Sequence, residues 1–284
     1  MFEERGVWTE FFRIHSYEVD AQGRTPVHAI CNYLQETAAN HARALGFSAQ
    51  SMHERGLAWV LARLDVEVDR EPTWGHTISV ETWHSGVHGL YTTREFVLRD
   101  HSGCQIGQAA SSWIIIDLNR RRVTRPPADL LAVDASPRGR TLPDTFASPP
   151  DQPADAENGN TASSQSHHQS VTVRESDLDL NRHVNNARYA AWAVEALPLS
   201  VRTSCRLSKL ELRFRAESTR GDAISTDAYP DPKHASGDGA PSRDFFHCLT
   251  RVDDDRTLAL ARTHWTSREA VATPPAFTGP ARVA

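Results

Sequence analysis

Asp179, Asn181 and His183 occupy every second position immediately ahead of an alanine-rich stretch, Asn186 to Leu197, whose apolar residues recur with helical spacing. The three side chains cover complementary chemistry. A histidine exchanges a proton near neutral pH, an aspartate serves as base or nucleophile, and an asparagine donates a hydrogen bond that fixes a carboxylate. A helix N-terminus just behind them would favour a developing oxyanion through its unbonded N–H groups and its macrodipole. These are the parts an ester or thioester hydrolase needs. Asp and Asn ahead of a helix also serve as plain turn and capping residues, and Asn185 or Asn186 suits the N-cap. Spacing alone leaves both readings open.

The chain that must position these residues is written twice. Ser136 to Ser170 is rich in Pro, Ser, Asp and Asn, nearly free of large apolar side chains, and reads as a linker. On either side the elements follow in the same order. Before it, Phe12 to Val19 is strand-like, and Pro26 to Ala44 is helical with Val27, Ile30, Leu34, Ala38 and Leu45 on one stripe. After it, Ser170 to Arg174 is strand-like, and Asn186 to Leu197 turns Ala187, Ala190, Ala191 and Val194 one way. One constant offset sets Asp20 on Asp179, Tyr33 on Trp192 and Glu36 on Glu195. A second sets Glu71 on Glu217, Gly75 on Gly221 and Ile78 on Ile224, and a third sets Ala109 and Trp113 on Ala261 and Trp265. The changes of offset imply loop insertions, of which Pro230 to Ser242 is the clearest.

Leu64 to Val68 and Leu210 to Phe214 alternate with period two, and each runs toward a Gly before another alternating stretch. Each half is therefore a strand, one long helix and several further strands. The fold class is α+β: two tandem hotdog units, each an antiparallel sheet wrapped around one long helix. The expected division is an N-terminal unit at 1–135, a linker at 136–169, a C-terminal unit at 170–268 and a tail at 269–284. Against Asp179, Asn181 and His183 the first copy sets Asp20, Gln22 and Arg24, so only the second copy holds an acid–base set. The first is expected to be catalytically silent.

Composition narrows the classes. With 39% apolar and 24% charged residues in 284, the chain is an ordinary globular protein with room for two cores. A formal net charge of −5 argues against nucleic acid as the partner. Cys31, Cys104, Cys205 and Cys248 lie far apart, with neither metal-ligand spacing nor a disulfide framework. No apolar run spans a bilayer, and Met1 to Arg5 carries acidic residues rather than a signal or transit segment. The expected setting is the cytoplasm, without nucleic acid or membrane; a homodimer is left open.

The run from Asp177 to Glu195, DLDLNRHVNNARYAAWAVE, closely resembles the signature of acyl-acyl carrier protein thioesterases, the plant plastid enzymes and their bacterial relatives. Leu34 to Phe47 resembles that family's first hotdog helix; Trp59 to Leu64, Pro72 to Gly75 and Ile78 to Trp83 resemble its following strands. Arg206 to Glu217 resembles the later strand that carries an essential glutamate. The likeness covers nearly everything except the linker, the Pro230 to Ser242 loop and the tail after Arg268.

Carried over by position, it implies catalytic roles for Asp179, Asn181, His183 and Glu217, and no cofactor or metal. It also implies an acyl pocket shaped by the first half, with Phe47 and Trp59 near it. Many plant members have a cysteine directly after the glutamate; here the residue is Ser218, which speaks against a thiol nucleophile. The implied function is hydrolysis of fatty acyl-acyl carrier protein thioesters in lipid metabolism. The implied partner is acyl carrier protein bearing the acyl group on phosphopantetheine, and Arg120 to Arg122 with Arg125 is the clearest basic cluster to receive it. An acyl-CoA thioesterase, a hotdog dehydratase and a non-catalytic acyl-thioester-binding hotdog protein are the alternatives.

Overall fold

The computed structural model describes residues 6–142, 166–231 and 243–268. The first half runs β1 (Val7–Arg13), α1 (Val27–Ala44), α2 (Ala49–Glu54), β2 (Leu57–Val68), β3 (Thr77–His88), β4 (Tyr91–Arg99), β5 (Gln105–Asp117), β6 (Arg122–Thr124) and α3 (Ala128–Leu131). The second runs β7 (His167–Thr172), α4 (Asn186–Glu195), α5 (Leu199–Ser204), β8 (Cys205–Phe214), β9 (Ala223–Pro230), β10 (Asp244–Arg251) and β11 (Arg256–Ser267). Pro26 opens α1, where its fixed φ and missing N–H carry no penalty. The apolar stripe Val27, Ile30, Leu34 and Ala38 is buried against the sheet. Asn185 is the N-cap of α4, its Oδ1 accepting the Ala187 N–H at 2.9 Å.

The strands form one antiparallel sheet in the order β1-β3-β4-β5-β2-β8-β11-β10-β9-β7, with β6 hairpinned onto β5. The order β1-β3-β4-β5-β2 is repeated in the second half as β7-β9-β10-β11-β8, so the duplication is one of topology as well as of sequence. The seam is β2 against β8, where Asp65 pairs with Glu211 and Leu64 with Leu212. Asp65 and Glu211 occupy the same position in their repeats, so the local twofold passes between them. Beside that axis the buried Asp65 carboxylate pairs with the Arg213 guanidinium across the seam. At the other edge of β2, Gly107 of β5 approaches so closely that a Cβ there would lie 2.6 Å from the Glu67 carbonyl. Among the described residues no helix is long and apolar enough to cross a membrane.

Three expectations shift. The first strand spans Val7–Arg13 rather than 12–19, because it pairs with β3 from Val7↔Trp83 to Arg13↔Thr77 and Ser16–Glu18 then forms a 3-10 turn. Of the stretch 136–169, Ser136 to Leu142 packs against the first sheet. There the Trp83 indole donates to the Gly139 carbonyl (2.8 Å), the Thr141 hydroxyl to the buried Glu95 (2.8 Å), and Leu142 is buried. Strand β7 begins inside the same stretch, at His167, while 143–165 lie outside the described residues. So do 232–242 of the Pro230 to Ser242 loop and the tail from 269.

Candidate active site

The Asp179 loop closes on itself ahead of α4. The Asp179 N–H donates to the His183 carbonyl (2.8 Å), the Arg182 N–H donates to the Asp179 carbonyl (3.0 Å), and Leu178 faces Val184 in an isolated antiparallel bridge. The turn requires a left-handed residue, and Arg182 supplies it at φ 63°; its repeat counterpart is Gly23 at φ 76°. Within the loop the Asp179 carboxylate is gripped by its neighbours. Its Oδ1 accepts the backbone N–H groups of Asn181 (2.8 Å) and His183 (3.3 Å), and its Oδ2 accepts Asn181 Nδ2 (3.4 Å). His183 thus holds Asp179 through its main chain. Its ring faces elsewhere, with Nδ1 3.4 Å from Glu217 Oε2.

Glu217 arrives from beyond the end of β8 on a turn that is itself fastened. The buried Ser218 donates its hydroxyl to Asp222 Oδ2 (2.7 Å), and the Thr219 N–H donates to the same oxygen (2.9 Å). Arg251 lies 3.5 Å from that oxygen and donates to the Glu217 carbonyl at 3.4 Å. Burial pushes the Asp222 carboxyl up, but the Thr219 N–H, the Ser218 hydroxyl and Arg251 together hold it below the usual range. The turn meets the loop through the Val184 N–H, which donates to the Ser218 carbonyl (2.9 Å). The four residues read from the sequence therefore stand in one place, and Ser218 turns inward, away from the others. The cysteines stay apart from them: all four are free, and burial pushes the Cys31 thiol up to about 12, which keeps it protonated.

Two supporting residues escaped the sequence reading. Asp177 is buried, its Oδ2 accepts the Arg174 N–H (2.9 Å), and its Oδ1 lies 2.9 Å from Arg188 Nε, so the loop is bolted to α4. The signal was present in the repeat, since Glu18 takes the same place in a 3-10 turn with His15. Tyr189 is buried on α4, edge-on to Trp192 and to Phe214, and its hydroxyl bonds the Ser218 backbone. Burial first, then the charges of Asp222 and Glu217, push its phenol upward, so it stays protonated.

The first copy keeps the scaffold with different side chains on it. Asp20 Oδ1 accepts the N–H groups of Gln22 (2.8 Å) and Arg24 (2.9 Å), the same grip as in the second loop. Arg24 stands where His183 does, and its Nε donates to Asp20 Oδ2 at 3.1 Å, so the carboxylate is neutralised by a guanidinium that does not exchange protons. Glu71, the counterpart of Glu217, is held bidentately by Arg268, whose Nη2 lies 2.9 Å from Oε1.

At the start of α4 a narrow cleft of about 20 Å³ opens between that helix, α1 and the strands β2, β4 and β5. Cys31, Leu34, Ala38, Leu61, Phe96 and Asn186 are among its lining residues. The wall is chiefly apolar and belongs to the first half, whereas Asn186 follows the Asp179 loop directly. Phe47 and Trp59 lie elsewhere: they pack with Met52, Ile115 and Leu130 in a separate small core, where the Trp59 indole donates to the Phe47 carbonyl (3.0 Å). The basic cluster is at the β5–β6 turn, with Arg120, Arg121 and Arg122 exposed and Arg120 Nε 3.9 Å from Asp117.

Two family models match in tandem, the acyl-ACP thioesterase N-terminal domain over residues 5–133 and its C-terminal domain over 160–267. The chain belongs to the acyl-ACP thioesterase family. Among curated relatives, the chloroplastic palmitoyl-acyl carrier protein thioesterase of Cuphea hookeriana is 32% identical over 277 residues, covering 93% of this chain and 63% of that protein. The chain thus spans under two thirds of that relative's length. Among solved structures, the 12:0-ACP thioesterase of Umbellularia californica superposes with a TM-score of 0.75 at 28% identity, covering 92% of this chain and 98% of the other. An acyl-ACP thioesterase of Bacteroides thetaiotaomicron superposes with a TM-score of 0.71 at 26% identity over the same shares. The hotdog fold expected from the repeat is the fold of these neighbours.

Proposed function

We propose that this acyl-ACP thioesterase family member hydrolyses the thioester of fatty acyl-acyl carrier protein, releasing a free fatty acid and the carrier thiol. One observation carries the reading: Glu217 meets the Asp179–Asn181–His183 loop at the His183 ring, and that loop leads into α4, whose first residue, Asn186, lines an apolar cleft walled mainly by the other half. A thioester carbonyl is weakly resonance-stabilised and has a good thiolate leaving group. Hydrolysis therefore needs a positioned carboxylate, a water and donors to the oxyanion. Asp179 acts either as the nucleophile, forming an anhydride that water then opens, or as the base that takes a proton from the attacking water. Glu217, oriented by the His183 ring, positions or deprotonates that water. In both routes the C–S bond breaks as the tetrahedral oxyanion collapses and sulfur leaves as the thiolate, which takes its proton from the base that deprotonated the water in one route and from solvent in the other.

The first half holds the acyl chain and carries no acid–base set of its own, a division supported by the neutralised Asp20 and Glu71. The division into two units is kept with shifted edges: the first takes in Ser136 to Leu142, and the second begins with β7 at His167 and runs to 268. Fatty acyl cargo is supported by the apolar cleft. A carrier protein partner is supported by the exposed arginines at the β5–β6 turn, and a cytoplasmic setting by four unpaired cysteines. The test is free-thiol release from parallel panels of acyl carrier protein and coenzyme A thioesters, with the Asp179→Asn variant beside the wild type. Release favouring the carrier protein panel and falling at least about 10²-fold in the variant is expected. Release favouring coenzyme A would move the substrate to that class. No release from any thioester would leave an acyl-binding protein instead.

A further inference from the structure

Gln35 belongs to the first half, yet its side chain meets the second. It projects from the middle of α1, and its Oε1 accepts Asn186 Nδ2, the first residue of α4, at 3.4 Å. Both residues line the cleft, and both are half-buried. With Oε1 turned to Asn186, the Gln35 Nε2 group carries two N–H donors that meet no acceptor among the described residues. The indole of Trp113 on the same wall is already spent on Ser111 Oγ (2.9 Å). An uncommitted carboxamide in a mostly apolar wall is costly to desolvate unless the bound ligand brings an acceptor to it.

The repeat sharpens this. At the offset that aligns the two helices, the counterpart of Gln35 is Val194 and that of Asn186 is Val27. The polar pair thus exists on one side of the local twofold only, the side where the Asp179 loop lies, and an apolar pair stands on the side of the neutralised loop. A residue kept polar only for helix packing would have no reason to follow the catalytic loop in this way.

Building on the thioesterase reading, we propose that Gln35 is a catalytic residue supplied by the otherwise silent half: its Nε2–H donates to the carbonyl oxygen of the bound thioester. Asn186 is the positioning residue, its carboxamide holding Gln35 through the 3.4 Å contact across the two halves. The bond strengthens as the carbonyl oxygen becomes the tetrahedral oxyanion, so its loss falls on kcat rather than on KM.

The experiment compares Gln35→Met, which keeps length and loses the donor, and Gln35→Glu, which keeps shape and donates only when protonated. Both are measured on the full chain with the acyl thioester that the wild type hydrolyses fastest, melting curves being recorded in parallel. Gln35→Met is expected to lose about 10² to 10³ in kcat, with KM within roughly threefold. The Gln35→Glu rate, taken as a ratio to wild type, is expected to rise as pH falls from 7 toward 5, and this settles the matter should the Met variant fail to fold. A kcat loss below tenfold in a folded Gln35→Met, a loss confined to KM, or a ratio flat with pH overturns the assignment. Inactivity of the wild type on every thioester would instead overturn the thioesterase reading, which keeps the two failures apart.

Discussion

Asp177→Ala separates positioning from chemistry, because Asp177 touches neither Glu217 nor the Asp179 side chain directly and yet anchors the loop that carries Asp179. The substitution removes a buried carboxylate with two partners, the Arg174 N–H at 2.9 Å and Arg188 Nε at 2.9 Å. A hydrogen bond to a buried charged acceptor contributes about 1.5 to 3 kcal/mol. The ion pair contributes about 1 kcal/mol at most, because the Arg188 side chain is 36% exposed and water screens it. The sum is about 3 kcal/mol, which at about 2 to 4 °C per kcal/mol for a domain of this size lowers Tm by roughly 6 to 12 °C. The Asn185 N–H donates to the Asp177 carbonyl and keeps that bond, so the loop loosens without detaching. A misplacement of about 1 Å in the carboxylate two residues on costs on the order of 10² in kcat. The assay pairs thermal unfolding followed by circular dichroism with steady-state thiol release. Asp177→Asn, which keeps one acceptor oxygen, should recover part of both. A Tm within 2 °C of wild type together with kcat within about twofold would refute the reasoning, since the anchor would then carry neither stability nor geometry.

Glu71→Gln should leave kcat within about twofold, because Glu71 is engaged by Arg268 and has no imidazole beside it; a loss like that of Glu217→Gln, measured in the same thiol-release assay, would contradict a silent first half. His247 is fully buried, and burial first, then the neighbouring charge of His167, push its imidazole down to about 3. The unfolded chain therefore binds the proton first. The stability that His247 permits is whole above about pH 6.5 and is lost progressively as pH falls toward 3, by about 2 kcal/mol at pH 5. Denaturant midpoints at pH 7.5 and 5 should differ accordingly, and His247→Phe should flatten that slope even if losing the 2.8 Å contact to Thr263 lowers stability at both pH values.

What the sequence made legible was whatever repeats locally. The two helices, the alternating strands and the Asp179 loop are set by residues close to one another, and aligning the copies exposed where one had lost its acid–base set. Glu217 is distant in sequence, and only its alignment with Glu71 and the family likeness drew it in. The boundaries went wrong where pairing decides. Val7 to Thr9 carry no strong alternation, yet β3 offers them partners, and Ser136 to Thr141 lack large apolar residues, yet Glu95 and Trp83 offer them hydrogen bonds. The seam was not legible at all, since nothing in Leu64 to Val68 says that its neighbour is Leu210 to Phe214 rather than another copy of the chain.

That seam explains why a residue such as Gln35 is invisible until the halves are joined. A hotdog helix buries one face against its own sheet, and the residues on that face are fixed by local periodicity. Joining β2 to β8 brings α1 and α4 together, and a position read as a flank of the helix stripe becomes the wall of a shared cleft. In a twofold-related pair of identical units, each wall would have to serve both as acyl holder and as partner to its own site. Writing the two units in one chain lifts that constraint. Val194 and Val27 can be apolar where Gln35 and Asn186 are polar, Arg24 can stand in place of an imidazole, and Arg268 can engage Glu71. Each departure from symmetry is then a statement about which half does what, and all of them point to the loop at Asp179.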